Sequence, residues 1–250
     1  VLWSGVVDDE FANNEKYEGT YPRRGSSVGS SLTHGPAGAF IYTSNREEAM
    51  TGGIESILPA WARRLVSEFD EADARAQAVA RSLTPQQLNW SALPGTWSVG
   101  QCLAHLAIGN ELYLAAIEAA LSNRGAGTPV PEIIVGAPSR WFIRRYIAPS
   151  AHMKTASAPL KITPPTAVDA DTLDRFLYTN EKARDVIRRA AGHDVNRLRF
   201  RNPFVPLIRF TVGTGLEILS KHEQRHLLQA ERVKGSPTFP VAGMSNEPNK

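Results

Sequence analysis

Residues 211–233, TVGTGLEILSKHEQRHLLQAERV, decide how the rest of the chain is read. Leu219, His222, His226, Gln229 and Val233 recur at spacings of three and four. On an α-helix those positions lie on one face, and this face is apolar enough to turn inward. Gly235-Ser236-Pro237 then stops the pattern,. His222 and His226 stand one turn apart, so their imidazoles can reach one metal ion. Sites of the zinc type usually take three or four protein ligands, so the pair poses the question of a third.

Three further helical patterns precede this one. Ile57, Leu58, Trp61, Leu65, Phe69, Ala72, Ala76 and Val79 give a helix from Ile54 to about Ser82,. Thr84-Pro85 suits the N-cap and first position of a short helix, and Pro94-Gly95 signals a turn,. The second long helix opens at Ser98, with Gln101 three residues on completing a capping-box pattern,. It runs through Val99, Leu103, Leu106, Asn110, Leu114, Ile117 and Leu121, with Gly125 as its C-cap,.

Residues 125–168 carry seven prolines and form a long crossover, with a short amphipathic helix expected over 139–147 through Trp141, Phe142 and Tyr146. The third long helix is expected from Asp169 to Ala191, closed by Gly192. Asn202-Pro203 and Pro206 break the linker that follows. Four long amphipathic helices without a convincing strand pattern predict an all-α four-helix bundle. The long connection between helices two and three allows an order other than simple up-down-up-down.

The segment before Met50 differs. Residues 1–49 are rich in Gly, Ser, Asn and Tyr and show no sustained period. They read as an N-terminal extension, either a leader before a domain that begins near Met50 or an arm docking Trp3, Phe11, Phe40 and Tyr42,. The bundle is expected over 50–235, followed by a polar, loosely ordered tail over 236–250.

Composition narrows the function classes. The 250 residues are 42% hydrophobic and 21% charged, ordinary for a globular protein,. The formal charge is only +3, and Arg144-Arg145 and Arg188-Arg189 read as solvated helix faces rather than a nucleic-acid stripe,. One cysteine, Cys102, excludes an intramolecular disulfide framework and reads as a small buried hydrophobe,. No apolar run reaches membrane-span length and no signal-peptide pattern appears, so cytoplasmic residence without membrane or nucleic-acid partners is expected.

The third ligand is best sought in helix two, where His105 shares a partly inward face with Cys102, Gly109 and Leu112. Bundles build metal sites from facing helices, and three histidines with an open position make a site of the catalytic type. Imidazole suits zinc, nickel, copper or iron, so ligand identity alone does not choose the metal; zinc or nickel is the expectation carried forward. Two other readings stay open. A histidine pair at this spacing is more often an ordinary helix face than a site. His222-Glu223-Gln224-Arg225-His226 also matches the metalloprotease H-E-x-x-H spacing, although little chain remains downstream for a third ligand,. Glu223 lies roughly 100° around the helix from His222, which makes it a surface or supporting group rather than a ligand. Gln229 lies nearly on the ligand face, where it could line a pocket, though a capping or solvated polar group is the more ordinary reading. His34, His152 and His193 fall in loops or termini and are not expected to be ligands.

Residues 93–106, LPGTWSVGQCLAHL, resemble a hallmark of the DinB-like superfamily, in which a Trp-Ser/Thr pair opens helix two and a His-Leu pair follows two turns later. Residues 222–230, HEQRHLLQA, are similar to its second hallmark, the His-x-x-x-His of helix four, and Arg201-Asn202-Pro203-Phe204 also looks like members of this group. The resemblance covers roughly residues 54–234. It implies an up-down-down-up four-helix bundle with a divalent-metal site near one end, held by His105, His222 and His226. It further implies an activity such as that of relatives that transfer low-molecular-weight thiols, bacillithiol and glutathione among them, or that isomerise with mycothiol. Many relatives have no established activity, and several form homodimers. The expectation is therefore a metal-dependent thiol S-transferase acting on a small molecule with a low-molecular-weight thiol cosubstrate. The alternative is a non-enzymatic bundle that binds a small ligand or partner with vestigial histidines.

Overall fold

The computed structural model describes residues 57–122, 127–149, 159–205 and 207–240. The N-terminal extension, the Gly125 cap, His34, His152 and the last ten residues of the tail lie outside the described residues. The elements are α1 (Ala60–Ala80), α2 (Pro85–Leu88), α3 (Val99–Ser122), α4 (Ala137–Phe142), α5 (Thr172–Ala190), β1 (Arg199–Arg201), β2 (Arg209–Thr211) and α6 (Val212–Lys234). A π-helical turn, Ile143–Ile147, continues α4, and a 3₁₀ turn spans Leu160–Ile162.

Local chemistry explains where the helices start. Ser98 Oγ accepts from the backbone N–H of Gln101 at 3.1 Å, and Gln101 Oε1 accepts from the Ser98 N–H at 3.0 Å. That reciprocal capping box satisfies two of the amides a helix start leaves bare. Thr84 and Gln87 repeat it at α2, with Pro85 in the first turn. Thr211 caps α6 by accepting from Thr214 N–H. The first helix starts later than its apolar pattern. Pro59 occupies the cap position and Ile57, counted in the apolar stripe, is 83% exposed. A proline ring inside the helix would clash with the carbonyl of the preceding turn, so the helix begins after it.

Ion pairs between the helices fix their directions. Arg64 bonds Glu217 and Arg75 bonds Glu231, so α1 and α6 run parallel. Arg175 bonds Glu111 and Arg189 bonds Glu118, so α3 and α5 run parallel. Helices α3 and α6 are antiparallel, because Ile117 meets Gly215 whereas Gly109 meets His222. The order is therefore up-down-down-up, with α1 and α3 on opposite corners, each packed on α5 and α6. Two parallel consecutive helices need a long return, which explains the crossover between α3 and α5. It is pinned at several points: Trp61 Nε1 donates to Val130 O, Gln101 Nε2 to Pro165 O, and Asn89 exchanges two bonds with Val168.

The linker after α5 is not merely broken by prolines. Phe200 pairs with Phe210 in a two-stranded antiparallel hairpin, both rings turned into the core. Asn202 Oδ1 closes the turn by accepting from the Phe204 and Val205 amides. Strands of three residues are too short to show alternation, which is why the sequence pattern misses them. The beginning of the tail is also held, against the expectation of loose order. Phe239 packs edge-on against Trp90 at 5.3 Å, and Pro240 O accepts from Gln87 Nε2.

Gly215 marks the tightest approach of α6 to the hairpin. A Cβ there would stand 2.6 Å from two ring atoms of Phe200. Alanine favours a helix over glycine by about 1 kcal/mol. Overpacking a buried ring costs about 1–3 kcal/mol and outweighs it. Gly215→Ala is expected to lower stability by about 1 kcal/mol in urea unfolding, and an unchanged or raised midpoint would refute the close approach.

Candidate metal centre

Three histidines meet at one end of the bundle. His105 on α3 and His222 and His226 on α6 place one potential ligand nitrogen each within 4.8 Å of the others. His105 Nε2 lies 3.0 Å from His222 Nε2. The ring centroids of His105 and His226 are 4.5 Å apart, and those of His222 and His226 4.7 Å. Antiparallel packing of α3 on α6 makes this meeting, since one turn of α6 carries the pair and α3 supplies the third ring opposite.

Backbone and amide groups set which nitrogen is free in two of the rings, His105 and His226. His105 Nδ1 lies 2.6 Å from Ile162 O. A carbonyl only accepts, so Nδ1 carries the proton and Nε2 keeps its lone pair for the centre. His226 Nδ1 donates in the same way to Gln229 Oε1 at 3.0 Å. Such partners fix the tautomer and orientation of metal-ligating histidines. Gln229 is thus neither cap nor solvated group; it sits one turn on from His226, where its amide reaches the ring. The Ile162 carbonyl has no sequence signal at all, because any residue type carries one. Trp97 does more than fix the start of α3: its ring lies 4.6 Å from His105 and 5.6 Å from His226 and walls the centre.

The electrostatics suit metal binding. Burial lowers the His105 pKa to about 4, against the opposing bond to Ile162 O. Burial, then the neighbouring histidines and Arg225, holds His222 well below its ordinary value. His226 is lowered by burial and by His105, and the Gln229 bond only partly offsets this. Neutral imidazoles are the form that binds metal. Metal–nitrogen bonds of about 2 Å let two nitrogens up to about 4 Å apart share one ion; His105 Nε2 and His222 Nε2, 3.0 Å apart, meet that condition, and all three ligand nitrogens lie within 4.8 Å of one another,. As a donor set, three neutral imidazoles fit a divalent metal of the zinc type. Among the described residues no other His, Cys, Asp or Glu joins the cluster. Cys102, one turn before His105, is fully buried in the apolar core, and burial pushes its thiol pKa up. His193 lies at the far end of α5, bonded to Arg189 O.

Glu223 is where the structure departs most from the sequence reading. It is 1% exposed, not a surface group. Asn110 Nδ2 donates to its Oε1 at 2.8 Å and Asn180 Nδ2 to its Oε2 at 3.2 Å. Asn180 also donates to Asp73 Oδ1, and Arg184 pairs with Asp73 Oδ2 at 2.8 Å. Burial raises the Glu223 pKa to about 8, with the two amide bonds pulling the other way and Asp73 adding to the rise. The side chain is thereby turned away from the histidines. In an H-E-x-x-H protease the glutamate must face the metal as general base, so this arrangement opposes a protease.

A bundle carrying a three-histidine centre between its second and fourth long helices defines the class of protein. The sequence profile of the DinB superfamily matches residues 68–230, which span both hallmark motifs and most of the bundle. The chain belongs to the DinB superfamily. No curated protein and no solved structure gives a significant match.

Two outcomes follow from this geometry. His105 stays neutral in the folded, metal-free chain down to about pH 4, but protonates near its ordinary value of 6.5 when unfolded. Its depressed pKa means that stability is full above pH 6.5 and falls as pH drops toward 4, by about 3 kcal/mol at most,. His105→Gln should flatten that part of the pH–stability profile measured by urea unfolding of metal-free protein. Separately, Gln229→Ala should weaken zinc binding by about 10–100-fold in chelator competition, because His226 loses the partner that orients it.

Proposed function

We propose that the chain is a divalent-metal protein in which His105, His222 and His226 are the ligands, and that it works as a metal-dependent thiol S-transferase. The observation that carries this reading is the convergence of three neutral imidazoles with no fourth protein ligand among the described residues. A site closed by four protein ligands is structural, whereas three leave a position for an exogenous group. When bound, a divalent metal would lower the pKa of a coordinated thiol and keep it as the nucleophilic thiolate.

The chain's own residues have defined tasks in this scheme. Ile162 O and Gln229 Oε1 hold the protons of His105 and His226 on the nitrogens that face away from the centre. Trp97 covers two of the rings and limits the approach of water from its side. The cosubstrate is a low-molecular-weight thiol and the acceptor a small electrophile. The proposal further includes zinc or nickel as the metal, a cytoplasmic setting and a homodimer. Among the described residues no helix is long and apolar enough to cross a membrane.

The purified chain should carry about one metal per chain after dialysis against zinc or nickel, read by elemental analysis. His105→Ala combined with His226→Ala should lose that metal and keep its helical circular dichroism. Stoichiometric metal in the double variant would overturn the ligand assignment. Metal-loaded protein should then accelerate conjugation of at least one low-molecular-weight thiol with a small electrophile, and the double variant should not. A metal-loaded protein inert across thiols and electrophiles would leave a metal-binding bundle and remove the transferase.

A further inference from the structure

The basic residues of this chain are not spread evenly. Residues 133–168 and 195–216 together hold nine Lys and Arg and no Asp or Glu, so the rest of the chain is net acidic. The fold brings described parts of both stretches side by side. Phe142 of α4 packs on Phe210 of β2 with ring centroids 5.7 Å apart. The α4 segment and the hairpin therefore adjoin at one end of the bundle. Arg225 Nη1 ties the segment to α6 by donating to Ala148 O.

The outward side of this region pairs uncompensated charge with bare apolar groups. Phe200 and Phe210 face inward, so Arg199, Arg201 and Arg209 project outward and are exposed. Arg201 stands directly across from Arg209. Like charges at opposed positions destabilise a hairpin, and no acidic residue of the hairpin relieves them. On the neighbouring segment Arg140, Arg144 and Arg145 are exposed as well. Among the described residues none of these six arginines forms an ion pair with a carboxylate. In the same two stretches Trp141 is 61% exposed, Ile134 62% and Leu207, at the hairpin loop, 97%.

We propose that this arginine-rich end of the bundle docks on an anionic lipid bilayer. Arginines attract the negative headgroups, and the attraction adds up over the basic residues held near such a surface. Trp141, Leu207 and Ile134 supply the apolar groups that enter the boundary between headgroups and acyl chains. The aliphatic side chains favour lipid over nucleic acid, whose bases stack on aromatic and guanidinium planes rather than on Leu or Ile. A second copy of the chain meeting this face symmetrically would set arginines against arginines. The proposed docking departs from the expectation from composition alone, in which Arg144-Arg145 read as a solvated helix face and no membrane partner was foreseen.

The test is flotation of the full chain with vesicles of phosphatidylcholine alone, and with roughly one lipid in three replaced by phosphatidylglycerol. Binding should appear only with the anionic vesicles and weaken as salt rises. Arg201→Glu with Arg209→Glu should weaken it at least about ten-fold, and Leu207→Ser should weaken it at unchanged net charge. Arg140→Glu with Arg144→Glu and Arg145→Glu, on the neighbouring element, carries the test should the hairpin variant not fold. Zinc content and helical circular dichroism should stay unchanged in all of them. No binding to either vesicle, equal binding to both, tighter binding to a single-stranded oligonucleotide, or a dimer abolished by the hairpin charge reversal would each overturn the proposal.

Discussion

A carboxyl group in the middle of a helical bundle must find hydrogen-bond donors, and Glu223 finds them on two other helices. Asn110 of α3 and Asn180 of α5 hold its two oxygens, and Asp73 of α1 joins through Asn180 and Arg184. Every long helix therefore contributes to one buried polar group. Unlike apolar packing, such a network tolerates little sliding, because a helix shifted by one residue would strand donors and acceptors in the core. One member is left over: Asn110 Oδ1 has no partner. The polar core thus accepts some cost in exchange for a defined register, and that register is what the adjoining histidine centre requires.

The centre depends on this register because its parts come from distant places. Glu223 follows His222 directly, and Asn110 follows Gly109, which lies against the His222 ring. Holding Glu223 on Asn110 therefore holds α6 against α3 at the level of the three histidines. The crossover supplies the remaining constraint. Ile162 lies 57 residues from His105, yet its carbonyl sets the His105 tautomer. Gln101 works at both ends of this arrangement: it caps α3 and grips the crossover at Pro165 and Thr166. A loop that looks like a mere connection is thus part of the centre.

Much of this was readable from local chemistry. The four helical periods, the capping box at Ser98, the N-cap at Thr84, and the one-turn spacing of His222 and His226 are properties of residues within a turn of one another. The same holds for Cys102 as a buried hydrophobe. Errors arose where a local rule met a tertiary demand. Ile57 fits the apolar stripe of α1, but Pro59 ends the helix before it. Glu223 points away from the ligand face, which the helical angle gave correctly. Away from the ligands turned out to mean into the core, because donors wait there on α3 and α5.

What the sequence determined by itself was the set of long helices, the capping box that opens α3, and one face carrying two histidines, since backbone hydrogen bonding and side-chain period act within a few residues. Its motifs also placed His105 as the third member. The tertiary structure decided the rest. It chose which helices run parallel, which nitrogen of His105 and of His226 is free, and that Gln229 serves His226. It also opposed Arg201 to Arg209 beside a second basic segment. Those features join residues far apart along the chain, and their geometry exists only once the helices have turned and slid into one packed arrangement.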